Sequence, residues 1–172
     1  MYFWCQKKNQ MHFSIFPREV YSNRRNLLQH NIGSGLILLL GNEESGMNYK
    51  DNTYPFRQDS TFLYYFGLDL PNLGAIIDVD QDTTTIFGDE LSMEDIIWTG
   101  PQPTIREMAD MSGVTQTRPL AELGQLLQTA LAGNRRIHFL PPYRPENLLK
   151  LSSWMEQPVS LIRQAHSVEL IK

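Results

Sequence analysis

A single cysteine, Cys5, is all the thiol chemistry this 172-residue chain carries. One cysteine excludes an intrachain disulfide and, with it, the small disulfide scaffolds of oxidising compartments. Long apolar runs are missing as well. The longest aliphatic run, "LILLL" at 36–40, falls far short of the roughly 20 residues that cross a bilayer. The start "MYFWCQKKNQ" is apolar first and basic second, the reverse of a signal peptide. These absences set the expectation of a cytoplasmic protein with no membrane partner. Positive charge is not in excess either: 15 Lys and Arg face 19 Asp and Glu, a net charge of −4. Nucleic-acid binding calls for a basic face, so no nucleic-acid partner is expected. Two "NRR" clusters, at 23–25 and 134–136, read as solvated element ends.

Recognisable catalytic patterns are equally scarce. His12, His30, His138 and His166 stand singly, without the paired spacing that sets two imidazoles on one helix face. His138, between Ile137 and Phe139 on a predicted strand, reads as an outward-facing or a satisfied core histidine. "GSG" at 33–35 precedes its strand instead of following it and fails the dinucleotide test. There is no "GxSxG" elbow, phosphate loop or Cys/His nucleophile pair. Asp78, Asp80 and Asp82 imitate the opening of a calcium loop, but its sixth and twelfth positions hold Thr83 and Asp89 instead of Gly and Glu. A hairpin turn is the better reading. The chain is therefore expected to hold no catalytic residues and no metal or cofactor of its own.

What is present is an ordinary globular composition, 41% hydrophobic and 20% charged, in a length that suits one domain. Residues 1–16 read as an N-terminal extension, with Met11 as a second candidate start, and 17–172 as the domain. "PREVYSNRRNLLQH" predicts a helix opened by Pro17. "GSGLILLLG" predicts a strand buried on both faces. Residues 42–60 form a long loop, of the kind that is usually functional or packed on a partner. "TFLYYFG", "GAIIDVD" and "TTTIFG" predict three strands, the last two joined as a hairpin through "DQD". "SMEDIIW", with Ser92 as N-cap and Asp95 three residues on, and "TIREMADMSG", closed by Gly113, predict short helices. "PLAELGQLLQTALAG" places Leu120, Leu123, Leu127, Ala130 and Leu131 on one helical stripe. "RRIHFLP" predicts a strand, "RPENLLKLSSWMEQ" a helix, and "LIRQAHSVELIK" a further helical start. The last of these ends in "SVELIK" with no capping signal, as a truncated domain would. The alternation gives an α/β sandwich around a mixed sheet.

Three stretches exceed what a core requires. In "YPFRQDS", Arg57 and Asp59 sit among Tyr54 and Phe56, placed to hold the long loop in one shape by charge-assisted hydrogen bonds. In "GDELS", Asp89 and Glu90 follow an apolar strand as a solvated end. In "IIWTGPQP", Trp98 is carried on a turn stiffened by Gly100, Pro101 and Pro103, a favoured arrangement for an interface anchor. Ile96 and Ile97 are expected to give that helix its core contact, leaving the indole to project.

Read together, "YPFRQDSTFLYYFGLDLPNLGAIIDVD", "IFGDEL" and "IIWTGPQP" resemble the amino-terminal domain of Xaa-Pro aminopeptidases and prolidases, members of the creatinase-like metallopeptidases. The family pattern is an aromatic residue, Arg-Gln-(Asp/Asn/Glu)-Ser, a phenylalanine- and tyrosine-rich strand, Gly, and an acid-Pro turn before an apolar strand. Phe56–Ser60, Phe62–Phe66, Gly67 and Asp69–Pro71 follow it, with Leu70 inserted between acid and proline. The resemblance runs from about residue 17 to the end. It implies a three-layer α/β domain with a mixed sheet, similar to ribonuclease H in topology. It also implies a C-terminal catalytic "pita-bread" domain, outside this chain, whose two Asp, one His and two Glu hold a dinuclear metal centre, usually manganese. The parent activity implied is hydrolysis of the bond before proline in a peptide, by a metal-activated water. The partners implied are that catalytic domain and a second copy in a homodimer or higher homo-oligomer, with Trp98 reaching the partner subunit's substrate pocket. A prolidase, a creatinase, and a free-standing adaptor or binding module are the alternatives. A nuclease is a further one, with Asp78, Asp80, Asp89 and Glu90 as its only candidate carboxylates.

Overall fold

In the computed structural model, the described residues are 16–49, 52–100, 102–165 and 170, without the side chains of Asp95, Trp98 and Thr99. All of the expected extension but Phe16, with Cys5 and His12, and also Pro101, His166 and most of "SVELIK", lie outside them.

Strand β1 (Leu36–Leu40), apolar on both faces, is an interior strand of the sheet. It pairs antiparallel with β2 (Gly74–Asp78), which pairs antiparallel with β3 (Thr83–Phe87). The expected hairpin through Asp80 and Asp82 joins them, with Asp82 at φ 50° in the left-handed region. Two short parallel strands complete the sheet: β4 (Gln116–Arg118) beside β3, and β5 (Ile137–Phe139) beside β1, giving the order β4-β3-β2-β1-β5. The sheet is mixed, as expected. The three-residue β4, with its polar "QTR", carries too little apolar alternation to be seen in the sequence.

Helices cover both faces, making three layers. Leu36 and Leu38 of β1, Ile76 and Phe87 face α5 (Ala121–Ala132), α6 (Pro145–Trp154) and α7 (Val159–Gln164). Ile37 and Leu39, with Ala75, Ile77 and Ile86, face α2 (Ser60–Phe66) and α4 (Ile105–Met111). The period-2 alternation of "LILLL" thus feeds two cores at once. Along α5 the stripe holds at Leu123, Leu127 and Ala130, while Leu131 is 39% exposed.

The segment "STFLYYF" is a helix and not the predicted strand. Its aromatic composition favours a pleated surface, but local signals override it. Asp59 is the N-cap, its Oδ1 accepting from Phe62 N at 2.9 Å. Phe62 and Phe66, four residues apart, are both fully buried with ring centroids 4.9 Å apart. Gly67 ends the helix at φ 68°, where an added Cβ would also strike the Tyr21 ring.

Helix α1 (Arg18–Ile32) ties this layer together. Arg25, read from the sequence as solvated, is 4% exposed. Its guanidinium donates to Tyr65 O at 2.8 Å, Ser112 O at 2.8 Å and Gly113 O at 3.3 Å, the carbonyl ends of α2 and α4. A cation there meets the negative poles of two helices. Burial lowers its pKa to about 10, so it stays charged at neutral pH. Arg24 stacks 4.1 Å over Tyr64 and 5.2 Å over Phe16.

Candidate functional site

The long loop leaves β1 at Gly41 and returns at Asp59, and its two ends are held by one buried amide. Gln58 is 1% exposed. Its Oε1 accepts from Asn42 N at 2.6 Å and Asp59 N at 2.9 Å, and its Nε2 donates to Leu70 O at 2.5 Å. Asn42 answers with Nδ2 on Arg57 O at 2.9 Å. A Cβ on Gly41 would stand 2.9 Å from both Gln58 Oε1 and Leu73 O, so only glycine lets the loop close here. Between these ends the loop forms a small lobe, bridged at Gly46 and Thr53, with Met47, Tyr49 and Tyr54 about half or more exposed.

The four loop residues singled out from the sequence divide in their roles. Asp59 caps α2 with one oxygen and accepts from the Tyr143 hydroxyl at 2.9 Å with the other. Desolvation of that hydroxyl, reinforced by the Asp59 carboxylate, raises the Tyr143 pKa. Arg57 contributes its carbonyl alone; its side chain is exposed and takes no part in the latch. Tyr54 is exposed and Phe56 half-buried. Gln58, Asn42, Tyr143 and Asn147, which donates to Gly41 O at 3.2 Å, carry the latch and were not singled out. Only the polar Gln58 between two charged neighbours hinted at it.

A cleft of about 480 Å³ opens beside the latch, at the carboxyl ends of the parallel strands β1 and β5. Asp59, Tyr143 and Asn147 stand at it, over a floor that includes Leu38, Leu40 and Phe139.

On the other side of the domain, Asp89 and Glu90 are not a solvated strand end. Asp89 Oδ1 accepts from Leu120 N at 3.0 Å, at the start of α5. Glu90 accepts from Ile105 N at 3.0 Å, at the start of α4. Each carboxylate satisfies an orphan donor at a helix N-terminus. Asp78 and Asp80 are engaged as well, by Arg135, whose guanidinium meets both oxygens of Asp78 and Oδ2 of Asp80. These hydrogen bonds, Asp78 first, keep Arg135 firmly protonated. The four carboxylates a nuclease would need are thus committed to helix ends and an arginine. Among the described residues no three His, Cys, Asp or Glu converge as a metal site. His138 is 2% exposed with Nε2 3.1 Å from Ser34 O, the satisfied core histidine of the two readings.

Helix α3 (Met93–Thr99) carries Trp98 one residue before its end, and the indole lies outside the described residues. The core contact expected of Ile97 is not made. Ile97 is 78% and Met93 76% exposed, four residues apart on one face, and Ile96 is half-buried. Leu91 and Pro103, which flank the helix in sequence, help line a second apolar cleft of about 330 Å³.

Comparison with known proteins decides among the families. The model of "Aminopeptidase P, N-terminal domain" matches residues 21–138, well over half of the chain. The chain belongs to the aminopeptidase P N-terminal domain family. A probable Xaa-Pro aminopeptidase of Penicillium rubens is 28% identical over 95% of this chain and 37% of its own length. One of Aspergillus flavus is 30% identical over 68% of this chain and 24% of its own. Among solved structures, Escherichia coli aminopeptidase P in complex with substrate superposes with a TM-score of 0.70 at 21% identity, covering 82% of this chain and 33% of that one. Pseudomonas aeruginosa aminopeptidase PepP gives 0.67 at 20%, covering 88% and 35%. A zinc-substituted form of the E. coli enzyme, in complex with product, matches equally at 0.70 and 21%. These structures share the fold of this aminopeptidase P N-terminal domain. The chain spans about a third of the length of such relatives.

Proposed function

We infer that this chain is the non-catalytic front domain of an Xaa-Pro aminopeptidase, serving oligomerisation and closure of the substrate pocket. The observation that carries the reading is the outward face of α3. Met93 and Ile97 expose more apolar surface than a helix of a free-standing domain gains from, and Leu91 continues it. A helix built this way is made to be covered by something outside its own domain. Trp98 lies on the same short helix, and its indole is the anchor assigned to the proline-side pocket of a neighbouring subunit. The loop lobe with Met47, Tyr49, Tyr54, Phe56 and Arg57 is assigned to the interface between copies, positioned by the latch at Asp59.

The metal belongs to the part of the protein that follows this chain. Manganese in a dinuclear centre is the assignment, and a cytoplasmic homodimer the expected form. No helix among the described residues is long and apolar enough to cross a membrane. Proline's tertiary amide offers no N–H, so its recognition rests on shape and apolar contact, which an indole supplies. The domain's boundaries are proposed at 17–172, with 1–16 as an extension. The test compares the full-length protein with the 172-residue chain on an Xaa-Pro peptide. The full-length protein should cleave it in a chelator-sensitive way and sediment as a dimer or larger, and the chain alone should leave it intact. Turnover by the purified chain, or a full-length protein inert with every divalent metal, defeats the reading.

A further inference from the structure

The start of α6 holds the loop lobe by its base. Leu148 and Leu151 anchor the helix in the core that also takes in β1 and β5. Asn147 and Lys150, three apart and so on one helix face, reach the loop instead. Asn147 donates to Gly41 O, and Lys150 pairs with Glu43. Just before the helix, its N-cap Arg144 donates from Nη1 to Ser45 Oγ at 3.0 Å, and Tyr143 donates to Asp59. Gly41, Glu43 and Ser45, the outgoing limb of the loop, are each held by a side chain of this one element.

The lobe beyond that limb is closed by its own main chain. Met47 N donates to Asn52 O at 2.7 Å and Tyr54 N to Ser45 O at 2.9 Å, while Met47, Tyr49 and Tyr54 stand about half or more exposed. A segment that buries so little opens at small free-energy cost. Ser45 is the joint, because its carbonyl closes the lobe and its hydroxyl oxygen accepts from Arg144. The Lys150–Glu43 pair is better shielded than a surface pair, with side chains 27% and 29% exposed. Partly buried pairs are screened much less than exposed ones.

We propose that Arg144 and Lys150 are positioning residues, which fix the lobe to the core so that Met47, Tyr49 and Tyr54 stand together as one face for a second copy of the chain. The inference rests on the reading of this lobe as the interface between copies, and adds what orients it. Charge favours a second copy as the occupant. From 46 to 54 the lobe reads "GMNYKDNTY", with one Lys and one Asp and no net charge. A two-fold contact sets a patch against itself, which a neutral patch tolerates and a charged one does not. The apolar side chains make the contact, and the two cations set its geometry. A lobe released from α6 would have to be ordered again on association, at a cost in affinity.

Two measurements test this. In the 172-residue chain, Lys150→Glu should speed hydrogen exchange at the Met47 and Tyr54 amides by about tenfold. In the full-length protein the same change should weaken self-association, followed by sedimentation equilibrium, by about tenfold. Glu43→Lys combined with Lys150→Glu rebuilds the pair with its charges exchanged, and should return both exchange and association toward wild type. A lesion that merely loosened the fold would not be rescued by that second change. Arg144→Gln, which releases Ser45, should show the same two effects, and it replaces Lys150→Glu if circular dichroism finds that variant unfolded. Exchange at Met47 and Tyr54 unmoved by both single changes overturns the proposal, and so does faster exchange with self-association as in wild type. A wild-type full-length protein that sediments as a monomer defeats the interface reading itself. An oligomer indifferent to both changes defeats this inference and leaves that reading in place.

Discussion

Replacing Gln58 by alanine should be among the most damaging single changes in the domain. The side chain is 1% exposed and makes three hydrogen bonds to main-chain groups: Asn42 N, Asp59 N and Leu70 O. Alanine leaves all three without their partner. A buried polar group left unsatisfied costs about 1–3 kcal/mol. Water entering the vacated space recovers part of that at the more open groups, so a net loss of roughly 3–5 kcal/mol is expected. For a domain of this size, 1 kcal/mol shifts the melting temperature by about 2–4 °C, so the midpoint should drop by roughly 10 °C. Urea denaturation of the chain, with tyrosine and tryptophan fluorescence as probe, gives the free energy directly. Gln58→Glu is the informative partner, since it keeps the two acceptor contacts and sets a carboxylate against the Leu70 carbonyl. It should fall between wild type and alanine at low pH, where its protonated form donates again, and lose that advantage as the pH rises. A loss below about 1 kcal/mol for alanine, the range of ordinary surface changes, would refute the latch as described.

Other expectations follow from the charged groups. Arg25→Lys should cost about 2 kcal/mol or more, because a single ammonium cannot span Tyr65 O on one side and Ser112 O and Gly113 O on the other; a lysine variant as stable as wild type in the same urea titration contradicts the double helix-end contact. Asp80 is held below the ordinary carboxylate range first by the Gly35 N–H and then by Arg135. A carboxyl depressed in the folded state contributes stability above its unfolded pKa of about 3.9, lost as pH falls through the folded value. Asp80→Asn should therefore flatten the acid limb of a melting-temperature profile below about pH 4, and an unchanged limb would remove Asp80 from that account. Gly67→Ala combines a left-handed φ with a clash against Tyr21, and should destabilise by more than about 1 kcal/mol; a neutral result would mean that α2 does not end as described.

Much of this fold was legible because its signals were local. The five apolar residues of β1, the turn at Asp80–Asp82 and the leucine stripe of α5 each declare their element through periodicity or turn chemistry. The family motif around Phe56–Ser60 declared the rest. What misled was composition read without its caps. Six residues of aromatic and β-branched character looked like a strand, while Asp59 before them and Gly67 after them were the signs of a helix. The polar site was harder still, because its partners are distant in sequence. Gln58 reaches Leu70, Asp59 reaches Tyr143, and Arg25 reaches Ser112, pairings that exist only once the sheet has brought their elements together. Asp89 and Glu90 likewise accept from backbone N–H groups at helix starts 31 and 15 residues later. Charge runs read as solvated were for the same reason partners of groups the sequence could not point to. Ile97 failed in the opposite sense: an apolar residue on a helix was assigned inward, and the helix turns it out.

That outward helix is where the functional account stands or falls. The direct measurement is kcat/KM for an Xaa-Pro peptide by the full-length protein with Trp98→Ala, beside the urea stability of the 172-residue chain carrying the same change. The account predicts a loss of roughly tenfold or more in kcat/KM, the equivalent of about 1.4 kcal/mol of transition-state contact. It predicts a change of less than about 1 kcal/mol in the stability of the chain, as for an outward-facing residue. Unaltered kinetics, or a chain that loses several kcal/mol because the indole belongs to its own core, would contradict it.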